Sequence, residues 1–235
     1  MEINSVLVNG IKIYPFESME QMLDYISDKK SILIAINSKK IRIADDNLRD
    51  LVNDNIGYID GVGAIMAVKD KGVKTAARIP GCDLWLEIIR RRVVDSSFYF
   101  IGGTQEVIDA VISKLKVEYP DINILGYRNG YLKTTEDRQA VIDDIAEKKP
   151  DIVFVAMGSP IQELLMKDMK DKHPALYQGL GGSFDVYSGK VERAPKWWID
   201  HNAEWFYRDI TNIKRIRGIW ENFLFFIKLK ILRRY

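Results

Sequence analysis

The sequence has one cysteine, Cys82, and two histidines, His173 and His201, in 235 residues. A lone cysteine excludes an internal disulfide and fits a reducing compartment. No His-Glu-x-x-His and no cysteine pair accompanies the histidines, so both read as surface or satisfied polar residues rather than metal ligands. No Asp-x-Asp occurs anywhere in the chain. A diphosphate bound here would therefore meet arginines instead of a carboxylate-held cation, and Arg78, Arg193, Arg208 and Arg215 are the candidates. The Gly-x-Ser-x-Gly elbow of serin-type hydrolases is missing, and so is the Gly-x-Gly-x-x-Gly dinucleotide fingerprint. A formal net charge of only +2 gives no global electrostatic case for nucleic acid as a partner. Met1–Ser5 lacks a basic segment followed by an apolar one, and no apolar run approaches the roughly 20 residues that span a bilayer. The expectation is a cytoplasmic protein.

What is present is an ordinary globular balance, 47% hydrophobic and 29% charged, enough for one good core with an appendage. Short apolar runs alternate with helical patterns. Ser31–Ile36, Phe98–Ile101, Ile122–Leu125 and Ile152–Ala156 read as strands. Val107, Ile108, Val111, Ile112 and Leu115 recur at helical spacing between them, as do Val141, Ile142 and Ile145. Strand and helix in alternation predict an α/β fold with a Rossmann-like parallel sheet, and a ligand beyond the carboxyl ends of its strands. Three strand ends run into small residues there: Gly102-Gly103-Thr104, Gly158-Ser159-Pro160 and Gly181-Gly182-Ser183.

The densest of these segments is Gly179–Gly189, with four glycines in eleven residues, followed by Arg193-Ala194-Pro195. Glycines let backbone N–H groups approach a ligand closely, which with a nearby arginine suits a phosphorylated molecule; a tight turn between two elements is the alternative. Asp60, ahead of Gly61-Val62-Gly63, could serve as a general base or simply as a turn or cap residue. Arg78-Ile79-Pro80-Gly81-Cys82-Asp83 sets a cation and a carboxylate around a Pro-Gly turn. In Ser159-Pro160-Ile161-Gln162 the spacing predicts a capping box, with Ser159 as N-cap and Gln162 at N3. The competing role for Gln162 is to offer its amide to a sugar or base.

Composition shifts after residue 195, which suggests a core over 1–195 and an appendage over 196–235. Ile213, Ile216, Trp220, Phe223, Ile227 and Ile231 step by three and four along one helix face, flanked by Lys214, Arg215, Arg217, Lys228, Lys230, Arg233 and Arg234. A basic amphipathic helix with aromatics suits an anionic membrane surface. The same helix could instead pack on the core or on a second copy of the chain, since the run Phe223–Ile227 needs a cover.

Together these segments resemble the WecG/TagA/CpsF family of bacterial glycosyltransferases over nearly the whole chain. The resemblance rests on Ala35-Ile36-Asn37, Asp60-Gly61-Val62-Gly63, Arg78–Leu84, Gly102-Gly103, Gly130-Tyr131, Met157–Glu163, Gly179–Gly189, Arg193-Ala194-Pro195 and Glu204–Arg208, in that order. It implies an inverting enzyme that needs neither metal nor other cofactor. Such an enzyme moves a hexose from a UDP-sugar to undecaprenyl-diphosphate-linked N-acetylglucosamine at the inner face of the cell membrane. By motif, Asp60 matches the proposed base and Arg78 the arginine that balances the leaving diphosphate. Asn37 and Gln162 match pocket residues, and Arg208 and Arg215 match appendage arginines that close over the site. Gly61, Gly63, Asp83, Gly102, Gly103, Gly158, Glu163, Gly181, Gly182, Asp185 and Arg193 complete the implied substrate site. Ala35, Cys82–Trp85 and His173–Tyr177 look closer to the branch that transfers N-acetylmannosaminuronic acid. N-acetylmannosamine and glucose are the alternative donor sugars. The appendage departs from the family pattern in having Ile213 where a proline is usual. A non-catalytic nucleotide-binding membrane adaptor is the rival of a different class.

Overall fold

The computed structural model describes residues 3–201, 204–210, 220–221, 224–225, 227 and 229. The chain begins with a hairpin, β1 (Val6–Val8) and β2 (Ile11–Ile13), and continues through α1 (Met19–Tyr25), β3 (Ile32–Ile36), α2 (Ser38–Ile43), α3 (Asp46–Asn53), β4 (Ile56–Ile59) and α4 (Val62–Asp70). Then follow α5 (Gly81–Arg92), β5 (Ser97–Gly102), α6 (Gln105–Glu118), β6 (Asn123–Arg128), α7 (Thr135–Lys148), β7 (Ile152–Ala156), α8 (Ile161–Lys172) and β8 (Leu176–Gly179). Three short helices come last: α9 (Ser183–Tyr187), α10 (Lys196–Asp200) and α11 (Glu204–Ile210). Six strands form a parallel sheet in the order β4-β3-β8-β7-β5-β6, the Rossmann-like α/β architecture expected from the strand–helix alternation. The residues fall into two compact units, one of 1–22, 35–80 and 192–235, the other of 23–34 and 81–191.

In the first unit the hairpin turns on Asn9-Gly10, both at positive φ (50° and 77°), as a two-residue turn between right-twisted strands requires. Asn53, at the end of α3, accepts the Lys12 N–H at 2.7 Å and so pins β2. Asp45 caps α3 through the Leu48 N–H. The C-terminal segment belongs to this unit. Phe225 and Leu229 are fully buried, while Trp220 and Leu224 are exposed. Gly63 of α4 makes the approach of Phe225 workable, because a Cβ there would stand 3.2 Å from the Phe225 ring and 2.8 Å from the Ser38 Cβ. Arg42 of α2 closes a 2.7 Å ion pair with Glu221. Of the basic helix expected over 213–235, Ile213–Arg217, Phe223, Lys228, Lys230, Ile231, Arg233 and Arg234 lie outside the described residues. Among the described residues no helix is long and apolar enough to cross a membrane.

The second unit holds its strands around an aromatic cluster. Trp85 meets Phe154 and Phe184 edge-on at 5.7 and 5.6 Å, and Phe100 stacks on Phe154 at 5.6 Å. Such rings bury large apolar areas in preferred geometries, which is what a sheet covered on both faces needs. At the opposite, N-terminal end of the strands, Asp151 accepts from the Ser97 N–H at 2.9 Å and the Ser97 hydroxyl at 2.6 Å. Burial alone would raise the Asp151 pKa, but these two hydrogen bonds, together with the nearby Arg92 and His173, hold the carboxyl below its ordinary value.

At the carboxyl ends the glycines are dictated by backbone. Gly102 has φ +145°, and a Cβ there would collide with the Ala156 carbonyl. Gly102→Ala is expected to destabilise the protein by at least about 2 kcal/mol, through strain and overlap with main-chain atoms that cannot move aside. Urea unfolding of the variant beside the wild type measures it; an unchanged midpoint would contradict this packing.

Candidate functional site

The first unit gathers its predicted residues at the ends of β3 and β4. Both strands finish side by side: the Asp60 and Gly61 N–H groups converge on the Ile36 carbonyl at 3.0 and 3.3 Å. Asn37 follows directly and caps α2, its Oδ1 accepting the Lys40 N–H at 3.0 Å. Gly61 is the N-cap of α4, and a Cβ on it would stand 3.0 Å from the Asn37 Cβ, so the two turns touch. Asp60 is half-buried between them.

Arg78 reaches this turn from the segment ahead of α5. Its backbone neighbours are pinned, Ala77 N–H to the Phe16 carbonyl at 2.8 Å and Ile79 N–H to the Ile59 carbonyl at 2.7 Å. Its Nε donates to the Asp60 carbonyl at 2.8 Å, and its Nη2 to Glu204 Oε2 at 3.1 Å. The other oxygen of Glu204 lies 3.8 Å from Arg193 Nε. Two of the four candidate arginines thus converge on one carboxylate, a few bonds from the candidate base. Glu204 was missed as a functional residue, although Glu204–Arg208 is part of the resemblance; no local spacing marks it, because its partners lie far away in sequence.

In the second unit three glycine loops close the carboxyl ends of β5, β7 and β8. Gly103 and Gly158 take φ of +65° and +79°, and Gly181 takes +58°. Gly130 packs on the Gly102-Gly103 loop, its N–H donating to the Gly103 carbonyl at 3.0 Å. Gly182 is the N-cap of α9, which carries half-buried Asp185. Within the same segment Tyr187 donates to Glu118 Oε2 at 2.6 Å; burial and that carboxylate push its pKa well up. Asp83 lies in the first turn of α5.

The predicted capping box is not formed. The helix begins later, with Pro160 as N-cap and no side-chain cap bond, after a cis Ser159–Pro160 peptide. Gln162 is then the second helical residue, and its carboxamide turns to the loops instead. Its Oε1 accepts from the Gly158 N–H at 3.1 Å and the Gly181 N–H at 2.9 Å, so one buried amide clips two glycine loops together. Its Nε2 stands 3.4 Å from Glu163 Oε1. A Cβ on Gly179 would come within 2.5 Å of that Nε2, which is why β8 ends in glycine.

The model of the WecG/TagA/CpsF glycosyl transferase family matches residues 6–235. The chain belongs to that family. As a WecG/TagA/CpsF glycosyltransferase it takes a sugar donor and an acceptor in the synthesis of cell-surface polysaccharide. Of the two appendage arginines expected to close over such a site, Arg208 falls on the backbone of α11, and Arg215 lies outside the described residues. Among the described residues no three His, Cys, Asp or Glu side chains gather as a metal site would require.

The double acceptor role of Gln162 has a consequence for stability. Gln162→Ala strands two loop N–H groups and should cost about 1–3 kcal/mol for each that stays buried. Thermal unfolding of the variant beside the wild type measures the loss; an unchanged melting point would remove the clip.

Proposed function

We propose that this glycosyltransferase moves a hexose from a UDP-sugar to a polyprenyl-diphosphate-linked N-acetylglucosamine, by a single displacement that inverts the anomeric centre. N-acetylmannosaminuronic acid is the leading donor sugar, with N-acetylmannosamine and glucose behind it. The observation that carries the reading is the Asp60 turn: a half-buried carboxylate follows β4, and its carbonyl is tied by Arg78 with a second guanidinium, Arg193, on the same carboxylate partner. Asp60 takes the proton from the acceptor hydroxyl as that oxygen attacks the anomeric carbon. The bond from that carbon to the β-phosphate oxygen breaks, and its electron pair leaves with UDP. Arg78 and Arg193 balance the charge that grows there, a role guanidinium forks fill well for phosphates. No resident metal enters this scheme.

The membrane surface is the proposed platform for the lipid-linked acceptor. Support comes from Trp220 and Leu224, both exposed, in a stretch of sequence rich in Lys and Arg. An adaptor without catalysis would use the same surface and differ only in turnover.

A transfer assay with a short-chain lipid-diphosphate N-acetylglucosamine acceptor, a panel of UDP-sugars and EDTA tests the whole reading. Product from one donor is expected, and Asp60→Asn should lower turnover by roughly 10²–10⁴-fold, the range of a general base. Near-normal turnover in that variant would remove Asp60 from the role; a strict requirement for added Mg would overturn the arginine scheme; a folded, UDP-binding protein silent with every donor would favour the adaptor. Flotation on anionic vesicles tests the platform: Trp220→Glu with Leu224→Glu should abolish binding while leaving the melting point within a few degrees, since both side chains are exposed. Undiminished binding would place the membrane contact elsewhere.

A further inference from the structure

Glu204 is a buried carboxylate at the start of α11, with only 6% of its side chain accessible, and it faces a guanidinium, that of Arg78, at 10%. Burying such a group is costly unless its charge is met, so its position is chosen by its partners rather than by solvent. Those partners are specific. Oε2 takes Arg78 Nη2 at 3.1 Å, and Oε1 faces Arg193 Nε at 3.8 Å. Arg78 Nε is at the same time bonded to the Asp60 carbonyl at 2.8 Å. A guanidinium is flat and rigid, so two contacts on different nitrogens fix the plane and heading of the whole fork. One of those contacts is supplied by the turn that holds Asp60, the other by the appendage.

We infer that Glu204 is a positioning residue: it aims the Arg78 guanidinium, together with Arg193, relative to Asp60. This rests on the proposed displacement with a UDP leaving group and deepens it.

The test is a double-mutant cycle read in turnover with the donor that the wild-type protein uses, and in UDP affinity. Glu204→Gln keeps the shape and loses the charge. It should lower kcat/KM by about 10–100-fold, the scale of a misaimed catalytic group, when assayed well below the lowered thermal midpoint that loss of a buried charge partner brings. On an Arg78→Ala background the same change should add less than about threefold, because it acts through that arginine. Guanidinium chloride at millimolar concentration should restore part of the turnover of Arg78→Ala, and none once Glu204 is also replaced, since nothing then seats the free cation. Should Glu204→Gln fail to fold, Glu204→Asp keeps the charge with a shorter reach and is expected to show an intermediate loss. Full turnover in Glu204→Gln, losses that multiply with Arg78→Ala, or equal rescue without Glu204 would each overturn the inference while the wild type still transfers sugar. A wild type that neither binds UDP nor transfers overturns the underlying reading, and this inference with it.

Discussion

A guanidinium out of water has to be met by an anion, and in this protein that requirement shapes everything around Arg78. The arginine sits in a segment without helix or strand, between α4 and α5, whose order comes from main-chain bonds to Phe16 and Ile59. Its fork then joins the end of β4 to the start of α11. Such a buried pair is weak evidence for net stability, since replacing both members by apolar groups is often neutral; removing one alone costs about 3–5 kcal/mol. Its value is in specificity. The carboxylate and its two arginines help set the register of α11, a helix of seven residues, beside the ring contacts of Phe206 and Tyr207 with Trp198.

The second unit solves a different problem. Parallel strands that end together leave loops crowded at one rim, and the loops can pass one another only where side chains are absent. Gly102, Gly130 and Gly179 are each hemmed in by neighbouring atoms, whereas Gly158 and Gly181 have open space and are there for their positive φ. Gln162 links the second kind. Its single oxygen serves N–H groups from the loops after β7 and β8, so the spacing between those loops is set by one side chain rather than by their own sequences.

Much of the fold was legible because the signals were local. The apolar runs at 31–36, 98–101 and 152–156 correspond to β3, β5 and β7 within a residue or so. Asn9-Gly10 between Val8 and Ile11 carries a plain hairpin signal that was passed over, since strands of three residues fall below the length at which alternation stands out. The glycine-rich strand ends were readable as backbone constraints. Ser159-x-x-Gln162 misled because a capping box is a statement about one helix, and the Gln162 oxygen is claimed by a loop nineteen residues on. Glu204 was unreadable for the same physical reason. Its meaning lies in Arg78, 126 residues away, and single-sequence patterns cannot see a contact of that range.

The described residues of the C-terminal segment show two apolar sides, Phe225 and Leu229 turned into the first unit and Trp220 and Leu224 turned outward. The two sides make opposite demands on anyone handling the protein. Trimming the chain at residue 191 to relieve aggregation would take away the sticky outer side, but it would also strip Phe225 and Leu229 from the interior and leave Arg78 without its carboxylate. Solubility is therefore to be gained by repainting the outer side residue by residue, with the chain kept at full length.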